Sequence, residues 1–181
     1  MRNPTHAVAG CLCALGLGCV AQTPVGPWEL AAGALAGLLP NVDYALPALE
    51  RSRLPILRAM ANRAVAGGIS HAAAVALPAG ALLGLLAALA SSREGLLVAV
   101  VAGVLSHLLL DLCGKTGLQL WAPFSLAWIA FPPWEPLRPH RGGAVEVGLF
   151  AAGLAVLAFL GVRELLPYAA ELARLLLGGG P

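Results

Sequence analysis

Apolar residues fall in five blocks along this chain, at residues 7–21, 28–39, 67–90, 96–112 and 143–162. Pro24 and Pro27 part the first block from the second, and Pro40-Asn41-Val42-Asp43 closes the second. A basic connector with Arg51, Arg53, Arg58 and Arg63 leads to the third, and Ser91-Ser92-Arg93-Glu94-Gly95 turns into the fourth. A Trp- and Pro-rich segment, residues 114–141, precedes the fifth. The third block reaches the roughly 20 residues that a helix needs to cross a bilayer. The first two are short and glycine-rich, suited either to spans in a thin bundle or to half-buried helices sheltered by the longer three. Beyond them, Arg163, Glu164, Glu171 and Arg174 stand among leucines, the pattern of an amphipathic helix at the interface or on the bundle. The pattern predicts an all-α integral membrane bundle of about five apolar helices plus an amphipathic C-terminal helix. No repeat or linker divides it, so residues 1–181 are read as a single membrane-embedded domain.

Composition supports this and removes other classes. Hydrophobic residues make up 59% of the chain, charged residues only 11%, and the mean hydropathy is +0.84. Soluble domains carry about 25% charged residues, so too few charges remain here to cover a globular surface. A net charge of +2 is too small for a nucleic-acid binder, and no nucleic acid is expected as a partner. Membrane lipids are. The 22 glycines suit close helix packing in lipid, where small residues let backbones approach. Cys11, Cys13, Cys19 and Cys113 show no CxxC spacing and read as small apolar residues. Val8-Ala9-Gly10-Cys11 matches a lipoprotein cleavage box, but too few apolar residues precede it for a signal peptide.

Positive charge in short loops sets orientation. Two blocks separate the connector before block three from the segment after block four, so both lie on one side. Together they hold Arg51, Arg53, Arg58, Arg63, Lys115, Arg138 and Arg141. The other side offers Arg93 and Arg163, each beside a glutamate. The basic side is expected to be cytoplasmic. Trp121, Trp128 and Trp134 fit an aromatic belt at that interface, or a lining for a substrate.

Ionisable groups inside apolar blocks are costly and read first as functional. His6 precedes block one, Asp43 follows block two and His71 lies near the start of block three. His107 and Asp111 close block four, and Glu146 opens block five. If the blocks alternate up and down, all six converge on one end of the bundle. His107 and Asp111, four apart, share a helix face. Imidazole nitrogens and carboxylate oxygens are the ligands of zinc, manganese or iron in hydrolytic sites. Three of each exceed the three protein ligands of one catalytic zinc and leave room for two metals. Taken one at a time the residues have plainer readings: a histidine at a helix contact, Asp43 as a turn or cap residue, Glu146 paired with Arg138 or Arg141. Their convergence favours a shared metal site. Ser70-His71 and Ser106-His107 are sequence neighbours, which do not face each other on a helix, so a serine nucleophile is not expected.

The motifs Thr5-His6, Leu38-Leu39-Pro40-Asn41-Val42-Asp43, Gly68-Ile69-Ser70-His71, Ser106-His107-Leu108-Leu109-Leu110-Asp111 and Pro123-Phe124-Ser125 carry a resemblance. In order and spacing the chain resembles the YdjM-like membrane-bound metal-dependent hydrolases of bacteria, over roughly residues 3–150. That family is distantly similar to zinc-dependent phospholipases C and fungal zinc nucleases. The resemblance implies a place in the inner membrane and His6, Asp43, His71, His107 and Asp111 as ligands, with Glu146 after them. Two positions depart from the family pattern. Asn41 stands where an Asp is usual, and Ala66-Gly67-Gly68 where His-Arg-Gly often occurs, which points to a reduced metal complement or to lost catalysis.

The expected function is metal-dependent hydrolysis, with a phosphoester such as a phospholipid head group as substrate and zinc as the metal (manganese and iron being the alternatives). Asp43, His71, His107 and Asp111 are the expected catalytic group. Arg63, Arg138, Arg141 and His140 are candidates for binding phosphate. The alternative is a weakened or inactive family member that binds a partner at the membrane.

Overall fold

The computed structural model describes residues 2–41, 71–122, 124–125 and 127–176. Five α-helices appear in it: α1 Asn3–Ala21, α2 Pro27–Ala36, α3 Ala73–Ser91, α4 Gly95–Leu112 and α5 Ala144–Leu176. Among the described residues there is no β-strand, only an antiparallel bridge between Leu118 and Ile129. Each apolar block therefore becomes a helix, since in lipid the backbone must satisfy its own polar groups. Four helices, α1, α3, α4 and the first part of α5, are long and apolar enough to cross a membrane. With 10 residues, α2 is too short to span, so of the two readings open for block two the half-buried helix holds. The fifth block and the amphipathic tail form one helix of 33 residues instead of two. The helix runs on past Arg163 and through Pro167.

Helix α4 is the centre. Half of its membrane-length window is buried, against 11% for that of α5, and it packs on α1, α2 and α3. α5 rests on α1. The inner helices bury every fourth position, glycine or alanine except at one end of each series: His6, Gly10, Ala14 and Gly18 on α1; Glu29, Gly33 and Gly37 along α2 and its cap; Gly95, Ala99, Gly103 and His107 on α4. On a helix such a series is one ridge, and with little side chain on it backbones approach closely. A Cβ on Gly10 would stand 2.2 Å from the Gly33 carbonyl oxygen, and one on Gly103 would stand 2.3 Å from that same oxygen. α2 is thus held between α1 and α4 at backbone contact. Leucines 82, 83, 85, 86 and 89 of α3 face outward, as expected of a lipid-facing helix.

The antiparallel course brings the start of α1, the end of α2, the start of α3, the end of α4 and the start of α5 to one end. The segment after α4 closes over that end: Leu118 and Ala122 are buried, the Ala73 N–H donates to the Leu120 carbonyl at 2.9 Å, and the Phe131 N–H to that of Leu112 at 2.9 Å. Trp121, Trp128 and Trp134 remain exposed there, and Trp28 is exposed at the opposite end.

Candidate metal centre

The ridges of α1 and α4 each deliver ionisable side chains to this end. His6 sits in the second turn of α1 and heads its ridge, whereas His107 and Asp111 are the last two members of the α4 ridge. His71 precedes α3 by two residues. The Asp111 carboxylate is the hub. Its Oδ1 lies 3.2 Å from His6 Nε2, and its Oδ2 lies 3.1 Å from His107 Nε2 and 3.7 Å from His71 Nε2. The ligand atoms of His6, His107 and Asp111 all lie within 4.8 Å of one another. The His6 and His107 rings stack at 3.9 Å, 21° from parallel, with the His71 ring 5.2 Å from that of His107. His6 and His107 are fully buried, while Asp111 and His71 keep 16% and 13% of their side chains exposed. Approach from outside is therefore over Asp111 and His71.

Buried polar atoms are nearly always hydrogen-bonded. Here His6 Nε2, His6 Nδ1 and His107 Nε2 are buried without a hydrogen-bond partner, although Asp111 lies at hydrogen-bond distance from both Nε2 atoms. Both Nε2 atoms rest against the Asp111 carboxylate as close ion-pair contacts, while His6 Nδ1 has no partner. Protonating both stacked rings would set two like charges at 3.9 Å in an apolar surround. Two imidazoles and a carboxylate converging from different helices are a donor set for a divalent cation. His107 has the supporting contact common in such sites: its Nδ1 lies 2.6 Å from the Gly37 carbonyl oxygen. The residues present fit a metal.

His6, His71, His107 and Asp111 are thus brought together as the sequence led one to expect. Asp43 lies outside the described residues. Glu146 is at the same end but is engaged otherwise. Its Oε1 accepts from the Arg2 N–H and, at 3.1 Å, from the Thr5 hydroxyl, while its Oε2 accepts from the Gly142 N–H. Glu146 thereby ties the N-cap residue of α1 to the turn that leads into its own helix. Arg138, a candidate for phosphate, spends its guanidinium on the carbonyls of Pro132, Pro133 and Lys115. Arg141 and His140 are exposed, and Arg63 lies outside the described residues. Asn41 donates from Nδ2 to Asn3 Oδ1 at 3.0 Å.

The family model of YdjM inner membrane proteins matches residues 1–170 of the chain. The chain belongs to the YdjM inner membrane protein family. Comparison with curated proteins and with solved structures finds no match. Within this YdjM member, two features went unread in the sequence. One is Glu29, a buried carboxylate at the far end, where block two has its polar residue at its start. The other is Gly37, whose carbonyl meets His107. The period-four ridges of small residues were a usable signal for the second: Gly33 and Gly37 extend the ridge of α2 into the site.

Proposed function

We propose that this YdjM-family protein is a divalent-metal-dependent hydrolase of phosphoesters, working at the cytoplasmic face of the membrane. The observation that carries the reading is the pair of buried imidazole Nε2 atoms, from α1 and α4, that converge on Asp111. His6, His107 and Asp111 hold the metal, zinc being favoured by the imidazole-rich donor set, and Asp43 completes the shell by its place in the sequence. When bound, the metal supplies a Lewis acid that polarises a phosphoryl oxygen and acidifies a water molecule. The burial of His6 and His107 keeps their side of the site dry, which strengthens every charge interaction within it. His71, partly exposed beside Asp111, stands on the side that substrate approaches, where its Nε2 can take up or release a proton. A site within a turn or so of the helix ends lies near headgroup depth, which favours a phospholipid head group as substrate. The excess of basic residues in the loops at that end supports a cytoplasmic orientation.

Asn41 favours a second reading. Its amide is used in a contact with Asn3, so the chain has a structural link where the family pattern has a carboxylate. This is what a member that has given up catalysis and binds a membrane partner would show. Elemental mass spectrometry of the detergent-purified protein, beside the His107→Ala/Asp111→Ala variant, tests the first reading. One or two zinc, manganese or iron ions per chain, lost in the variant, support it and justify a screen of phosphoester substrates. No bound metal after reconstitution with each ion sinks it and leaves the partner-binding reading.

A further inference from the structure

We infer that Gly37 is a positioning residue for the metal centre: its carbonyl fixes His107 in the tautomer that leaves Nε2 free, and only glycine fits where that carbonyl must stand. A carbonyl oxygen can only accept. At 2.6 Å from Gly37 O, the Nδ1 of His107 therefore carries a proton, so the nitrogen left to bind a cation is Nε2, which faces His6 and Asp111. Without that acceptor the proton could sit on either nitrogen, and on Nε2 it would block the atom that faces the site.

Gly37 is not glycine for the sake of its backbone conformation. Its φ of −63° and ψ of −13° are helical, open to any residue. The constraint is space. A Cβ on Gly37 would lie 2.6 Å from the His6 carbonyl oxygen and 3.3 Å from the His6 carbonyl carbon, both backbone atoms that cannot rotate away. On the α4 side, a Cβ on Gly103, one turn before His107, would lie 2.9 Å from the Gly37 nitrogen. The end of α2 is thus wedged between the backbone bearing His6 and the backbone bearing His107, and its last carbonyls have no partner further along the helix. Gly37 thus joins Gly10, Gly33 and Gly103 in letting the two imidazole-bearing helices close, and its carbonyl holds one of the imidazoles. The usefulness of that arrangement to a ligand rests on the metal-centre reading above, whereas the tautomer itself does not.

The experiment is nuclear magnetic resonance of the full chain in nanodiscs, labelled with ¹⁵N-histidine, stripped of metal and held at mildly alkaline pH. His107 is assigned by the signals missing from His107→Gln. The wild type is expected to show His107 protonated at Nδ1 and bare at Nε2. Gly37→Ala is expected to lose that pattern and, by isothermal titration with zinc, to bind roughly 10–100-fold more weakly, the usual effect of losing such a support. Gly16→Ala is the control, because a Cβ there meets nothing within 4 Å. It should leave both readouts unchanged. A wild-type His107 carrying its proton on Nε2 overturns the inference, and so does an Nδ1–H pattern that survives Gly37→Ala in a folded protein. If Gly37→Ala does not fold, the wild-type tautomer decides alone. An Nδ1–H pattern that responds to Gly37→Ala in a protein that binds no metal upholds the hold on His107 and sinks the metal centre instead.

Discussion

The two ends of the bundle bury carboxylates in opposite ways. At the far end Glu29, 3% exposed, is closed on itself. Its Oε2 accepts from the Gly26 N–H at 2.8 Å, capping the start of α2, and its Oε1 lies 3.5 Å from the Arg93 guanidinium. At the near end Asp111 is ringed by three imidazoles, and two of them rest their Nε2 atoms against it as close ion-pair contacts. Glu146, also at the near end, follows the closed pattern of Glu29, with backbone amides and a hydroxyl as donors. Burying a charge without donors is costly, and both Glu29 and Glu146 are provided with theirs from within the chain. Around Asp111 the neighbours are instead imidazoles, which bind a cation as readily as they donate a proton. Burial of charge therefore does not mark the site; the kind of neighbour does.

That contrast can be broken in four ways, taken from the largest expected effect to the smallest. Zinc at about a thousandfold excess over its dissociation constant should stabilise the wild type by about 4 kcal/mol, and His107→Ala/Asp111→Ala not at all. Denaturant melts with and without zinc check this, and equal shifts in both proteins would mean that the ions bind elsewhere. Glu146→Ala leaves two backbone N–H groups and the Thr5 hydroxyl without their acceptor. It should lower stability by about 2–3 kcal/mol and leave metal stoichiometry unchanged. Unchanged stability with lost metal would return Glu146 to the ligand set.

Glu29 sharpens the comparison through pH. Burial by itself would raise its pKa. The Gly26 and Glu29 amides and Arg93 outweigh burial, so the folded state holds it below the ordinary glutamate value. A depressed carboxylate stabilises the fold above its unfolded pKa and loses that contribution as pH falls through the folded one. Wild-type stability, followed by denaturant midpoints from neutral pH downward, should therefore drop in the acid range below the ordinary glutamate pKa. Glu29→Gln should be about 1 kcal/mol less stable at neutral pH and show a flatter acid limb. An identical acid limb in the variant would mean that Arg93 and the amides do little for Glu29. The smallest effect is expected from Asn41→Asp. Loss of the exposed amide donation to Asn3 should cost about 0.5–1 kcal/mol. If the near end is a working metal centre, the added carboxylate should tighten zinc binding in calorimetry; unchanged affinity would favour the partner-binding reading.

Particular residues show what could be read in advance. His6, His71, His107 and Asp111 were legible as a group because alternation of helices and the ends of apolar blocks suffice to place them together. Glu146 was legible as to end but not as to role. Whether a carboxylate faces a ligand or a neighbouring helix start depends on which N–H groups lie beside it, and Arg2 and Gly142 are 144 and four residues away. Glu29 is not legible from the ends of the blocks, because its partner Arg93 comes from the turn between α3 and α4. The charge pattern changes at Arg163 and suggests a separate tail helix, whereas α5 continues past it and through Pro167, a continuity that the charge pattern does not encode.

By itself the sequence determined the helices, the membrane setting and the end of the bundle where the histidines gather, since these follow from hydropathy, block length and alternation. Local chemistry is enough for each. Only the tertiary structure decided which carboxylate is satisfied, which imidazole nitrogen faces the site and why Gly37 must lack a side chain. Those depend on distances of a few ångströms between backbones of different helices, set by how three glycine-lined ridges pack, and no single segment encodes such a distance.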